Sequence, residues 1–131
     1  MKTLLPLFIL LLVLTGWYCK PKAGSGGKAK LSVHFYEKDK DPVFEGIIYI
    51  KYNATTFPGT DPSVYDEFQV TDYGAKVIFE NLRQGEYYLY GIKVQDTVEG
   101  GTYYKIDNRI GEREVVIHED KYCDLGTDCS E

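Results

Sequence analysis

The side chains able to do chemistry are few and widely spaced. Three cysteines (Cys19, Cys123, Cys129), two histidines (His34, His118) and two acidic groups (Glu37, Asp39 and Asp41, then Asp61, Asp66 and Glu67) make up the inventory. Each histidine occupies an outward position of an alternating segment, where a solvated ring is the simplest reading. The carboxylates sit in turn-like stretches whose spacing matches no calcium loop, and hard oxygen ligands beside Cys123 and Cys129 suit no single ion. No serine-elbow, paired-histidine zinc or phosphate-cradling glycine motif is present. The expectation is therefore no catalytic residue, no metal and no cofactor, and a protein that is not an enzyme.

Tyrosine is the compositional outlier, with 12 copies in 131 residues. If Tyr87 and Leu89 point inward, strand alternation turns Tyr88 and Tyr90 outward, together with Tyr36 and Tyr49. Such a rigid face could stack on sugar rings or a partner protein. The same residues could equally be cross-strand pairs that stabilise the sheet. The formal charge of −5 argues against nucleic acid, whose phosphates need a basic face. Charge is uneven, with lysines at positions 20, 22, 28 and 30 and carboxylates crowding the tail.

Beyond Lys30 the hydrophobic period is two. Leu31, Val33 and Phe35 alternate with Ser32, His34 and Tyr36, and further strands are predicted over 45–53, 67–70, 75–79, 86–96, 102–106 and 113–118. Gly100 and Gly101 read as a break between the fifth and sixth of these. Seven short strands with turn signals between them predict an all-β, seven-stranded antiparallel β-sandwich over residues 30–119.

Ahead of it, Lys2 and the apolar run 4–14 read as a signal peptide ending at Tyr18. The Gly/Ser-containing stretch 19–29 reads as a flexible tether, and 120–131 as an acidic tail. Cysteines at 123 and 129 can close a small disulfide loop in an oxidising compartment.

Two resemblances extend these readings. The apolar run closed by Cys19 resembles a bacterial lipoprotein signal. That implies lipidation of Cys19, attachment through the lipid to the outer or cytoplasmic membrane, and a domain facing the periplasm or the exterior. The other reading of the same segment is cleavage within 23–27 and release as a secreted protein. The run from Thr71 to Leu89, with its Thr71-Asp72-Tyr73-Gly74 turn, Phe79, Asn81-Leu82, Gly85 and Tyr87, resembles the transthyretin-like (prealbumin-like) sandwiches. These include carboxypeptidase regulatory-like domains and collagen-adhesin B-repeats, and the resemblance implies their fold.

Together these readings predict an exported, membrane-tethered β-sandwich with a non-enzymatic binding or structural role at the cell envelope. Its partner, an envelope protein or a glycan, is left unspecified. The alternative is a secreted carbohydrate-binding module that uses the tyrosine face.

Overall fold

The computed structural model describes residues 22–39 and 41–126. Eight strands run in chain order: β1 Ser25–Tyr36, β2 Ile47–Tyr52, β3 Glu67–Val70, β4 Lys76–Leu82, β5 Gly85–Lys93, β6 Val98–Ile106, β7 Ile110–His118 and β8 Tyr122–Cys123. They form a three-stranded sheet, β4-β1-β7, and a five-stranded sheet, β3-β2-β5-β6-β8.

The inner faces follow from period-two alternation. Leu31, Val33 and Phe35 of β1, Val77 and Phe79 of β4, and Val115 and Ile117 of β7 form one side of a single apolar cluster. Ile48 and Ile50 of β2, Tyr87 and Leu89 of β5, and Val98 and Ile106 of β6 form the other. Burying each large side chain contributes about 1.5–3 kcal/mol, which makes this shared interior the main force joining the two layers.

Three expectations are corrected. The fold is all-β, but the sheets are mixed and the strands number eight among the described residues. β1 pairs antiparallel with β4 yet parallel with β7, and β8 lies parallel to β6. Parallel order is invisible to alternation, which is the same for either direction.

Gly100 and Gly101 do not break a strand. The chain turns earlier, through a short 3-10 segment, Val94–Asp96, and Thr97 in the left-handed conformation (φ 54°). The glycines lie inside β6 because a Cβ at Gly100 would stand 2.2 Å from the His118 carbonyl oxygen, and one at Gly101 would stand 2.7 Å from the Tyr88 ring. Glycine here serves close packing rather than reversal.

The third correction concerns the spacer. β1 begins at Ser25, so residues 25–29 are strand, and Ala23 before them is only 3% exposed. Ser25 and Ala29 both face Leu82, so the residues between them bulge out of the β1–β4 ladder. Gly27 takes part in this bulge with its α-carbon pressed on the Leu82 and Arg83 backbone, where a Cβ would lie 2.1 Å from the Leu82 carbonyl oxygen.

The turn around Thr71 folds largely as its residues suggest. The Asp72 side chain accepts hydrogen bonds from the backbone N–H groups of Gly74 and Lys76, at 2.9 and 3.1 Å. Buried Thr71 accepts one from the Gly46 N–H at 2.9 Å. The left-handed residue of the turn is Ala75 (φ 58°) rather than Gly74. Leu82 is fully buried at the end of β4, and Gly85 (φ 153°) reverses the chain against Ala23.

Candidate functional site

The tyrosines expected to form an outer face are divided and covered. Tyr36 lies on the three-stranded sheet and stacks on His34 at 6.1 Å, away from the other three. Tyr49, Tyr88 and Tyr90 do share the outer face of the five-stranded sheet, where Tyr49 pairs with Tyr90 and stacks on it at 6.1 Å. Tyr88 and Tyr90 are nevertheless 0% and 1% exposed.

The segment between β2 and β3 folds back over them. Phe57 packs 6.0 Å from Tyr88, 5.2 Å from Tyr90 and 4.5 Å from Tyr122, and Tyr65 lies 5.3 Å from Tyr49 and 5.7 Å from Tyr90. The end of the described chain holds this cover in place. The Phe57 N–H donates to the Asp124 carboxylate at 3.0 Å, and the Leu125 N–H donates to the Thr55 carbonyl at 2.8 Å. The result is a second aromatic layer, in which each ring gains from its neighbours beyond simple burial.

Burial, with a smaller contribution from Glu99, pushes the Tyr90 hydroxyl up to about 12. Burial likewise raises Tyr88, with Asp124 adding to it, and Tyr122, whose hydroxyl donates to Glu99. These phenols stay protonated and act as packing groups.

The other candidates also have structural roles. The Asp61 side chain accepts from the Ser63 N–H and hydroxyl, which hold its carboxyl below the usual range. Asp66 accepts from the Tyr52 N–H at 2.7 Å, and Glu67 accepts from the Tyr52 hydroxyl. His34 and His118 are half-buried on the outer side of the three-stranded sheet, opposite Val116 and Tyr36 respectively in the β1–β7 ladder. Among the described residues no three His, Cys, Asp or Glu side chains converge as metal ligands. Cys123 ends β8, the last strand among the described residues, whereas Cys19 and Cys129 lie outside them.

What the structure does assemble is a cleft of about 470 Å³ at one end of the sandwich. Gly27 and Lys28 from the β1 bulge, Arg83 and Gln84 from the β4–β5 turn, and Arg109 and Ile110 from the β6–β7 turn line it. Each wall is held by hydrogen bonds to the backbone. Tyr87, fully buried, accepts from the Gly24 N–H at 2.9 Å and donates to the Arg83 carbonyl at 2.6 Å. The Arg83 N–H donates to the Gly24 carbonyl at 2.8 Å, and the Gln84 amide donates to the Asp107 carbonyl at 2.6 Å, tying the two turns together.

Among the described residues no carboxylate lies within ion-pair distance of Lys28, Arg83 or Arg109. Three cations around a half-open hollow suit an anionic group, and guanidinium forks match phosphate or carboxylate oxygens.

No protein-family model matches the chain, and no curated protein aligns with it significantly.

Sequence reasoning overlooked this cleft. Lys28 read as a charge on a spacer, and Arg83 and Arg109 are single cations 26 positions apart in ordinary turns. The available signal was the pairing of the sheet ends, because turns after β4 and β6 and the start of β1 must share one end once β4 and β1 run antiparallel.

Proposed function

We propose that the protein is an exported, membrane-tethered β-sandwich with a non-enzymatic binding or structural role at the cell envelope, and that the basic cleft is its binding surface. One observation carries the tether: Ala23 is buried in the core and Gly24 is bonded to Tyr87 and Arg83. Cleavage within 23–27, the release reading, would remove the Ala23 side chain from the core or cut Gly24 away from Tyr87 and Arg83. The processing point compatible with an intact fold lies upstream, where Cys19 is the residue that can take a lipid.

The finer fold reading, a transthyretin-like sandwich, is supported by the Thr71–Leu89 residues and their turn geometry. Pairing of Cys123 with Cys129 in a short loop remains part of the same proposal, since removal of Cys19 to lipid leaves an even cysteine count. A carbohydrate module working through Tyr36, Tyr49, Tyr88 and Tyr90 loses support, because Phe57 and Tyr65 cover Tyr88 and Tyr90 and Tyr36 lies on the other sheet.

Metabolic labelling with radioactive palmitate tests the tether. Label in the wild-type protein and none in Cys19→Ser is the expected result. An unlabelled wild-type protein whose mature N-terminus falls at or beyond Ala23 would overturn it.

A further inference from the structure

The cleft gathers Lys28, Arg83 and Arg109 at one end of the sandwich, with no carboxylate of the described residues in ion-pair distance of them. Asp66, Glu67, Glu86 and Asp107 belong to the same end but stand outside the cleft lining, and Asp66, Glu67 and Asp107 already meet Lys51, Tyr52 and Lys105. β1 starts at this end from Ser25, with β7 parallel beside it from Ile110. A molecule that is acidic as a whole therefore presents a cationic cleft, beside the buried Ala23.

We propose that this cleft docks on the anionic headgroup surface of a membrane, Lys28, Arg83 and Arg109 meeting lipid phosphates and Ile110 entering the interface. The proposal rests on the tether reading for its orientation. Cys19 and Ala23 are separated by four peptide steps, which reach at most about 14 Å when fully extended. A lipid on Cys19 thus keeps the cleft near the surface, at a distance comparable to the Debye length of about 8–10 Å at physiological salt.

Two features favour an extended surface over a small anion. The cleft is half-open and its arginines are exposed, so it offers no enclosed polar cage. Ile110, 70% exposed, stands at its rim beside the cations. An apolar tip flanked by basic side chains suits the headgroup boundary.

The test uses the full-length protein in vesicles of phosphatidylcholine alone or with phosphatidylglycerol added. Amide exchange over 107–110 and phenylglyoxal modification of Arg83 and Arg109 report docking. Protection in the phosphatidylglycerol vesicles only, reversed by salt, is expected. In the double variant Arg83→Gln/Arg109→Gln, each lost charge lowers the docked-to-undocked ratio about fivefold, giving about twenty-five-fold together. Unchanged amide exchange in β5 shows that this variant is folded.

Equal exposure on both vesicles overturns the proposal. So does protection by inorganic phosphate on phosphatidylcholine vesicles, which assigns the cleft to a free anion. Flotation separates the two readings. A protein that floats with phosphatidylcholine vesicles but shows no phosphatidylglycerol-dependent protection refutes docking alone. One that floats only with phosphatidylglycerol supports docking and refutes the tether.

Discussion

Replacing Tyr87 by phenylalanine removes one oxygen from a fully buried side chain and leaves the ring packing intact. That oxygen accepts from the Gly24 N–H and donates to the Arg83 carbonyl. No cavity arises, so the whole effect comes from hydrogen bonding. The Gly24 N–H is buried and keeps no other partner, so its orphaning costs about 1–3 kcal/mol. Arg83 is exposed, so water can reach its carbonyl more readily and the second loss falls nearer to about 0.5–1 kcal/mol. The expected destabilisation is about 2–3 kcal/mol. In a domain of this size that lowers the melting temperature by about 10–20 °C. In urea, the midpoint falls with little change in slope. Amide exchange resolves where the loss occurs: Gly24 and Arg83 should lose protection well before Leu89. A variant within about 0.5 kcal/mol of wild type, with Gly24 still protected, would refute the claim that residues 23–24 are pinned to the sandwich by this hydroxyl.

Phe57→Ala opens the cover over the outer aromatic layer. Because Phe57 is only half-buried, about 2 kcal/mol is expected rather than the 3–5 of a full core ring, read by urea unfolding. Tetranitromethane should then nitrate Tyr88 and Tyr90, and unchanged nitration counts against the cover. Gly100→Ala forces a methyl onto the His118 carbonyl and should cost about 1–3 kcal/mol. Gly74→Ala, whose methyl meets only the Asp72 carboxylate at 3.3 Å, should cost clearly less by the same measurement. Tyr90 ionises near 12 in the fold and near 10 when unfolded, and Tyr88 and Tyr122 are shifted the same way. The folded state holds these protons more tightly, so their contribution to stability is complete below about pH 10 and is lost as the pH climbs toward 12. Circular dichroism and tyrosinate absorbance should fall and rise together over that window; full ionisation at pH 10 with a native spectrum would contradict it.

The inner faces were legible because side chains of period two had one consistent solution. Leu31, Val33, Phe35, Ile48, Ile50, Val77, Phe79, Val115 and Ile117 all lie where alternation puts them. Strand direction was not legible, since β1 beside β7 has the same alternation whether parallel or antiparallel. Glycine misled in two places for one reason. At Gly27 and Gly100 the missing Cβ allows a neighbouring carbonyl to approach, while composition alone equates glycine with flexibility or a turn. Alternation was also silent about Tyr88 and Tyr90. They do point away from the core, as expected, but burial there depends on the 53–66 segment returning across the sheet with Phe57.

The basic cleft was hidden because its parts are far apart in the chain and each has an ordinary local explanation. Lys28 completes a glycine-rich stretch, Arg83 follows a strand and Arg109 precedes one. Pairing of β1 with both β4 and β7 brings them to one end, and the Gly24–Tyr87–Arg83 bonds hold that end closed. The segment that anchors the chain to the fold and the segment that lines the cleft are therefore continuous, five residues apart from Ala23 to Lys28. Loss of the Tyr87 hydroxyl should loosen both at once, so Tyr87→Phe, still folded at low temperature, is expected to show weaker protection over 107–110 on phosphatidylglycerol vesicles than wild type. Retained protection would show that the cations reach the surface without the anchor, and would separate docking from the way the N-terminal segment is held.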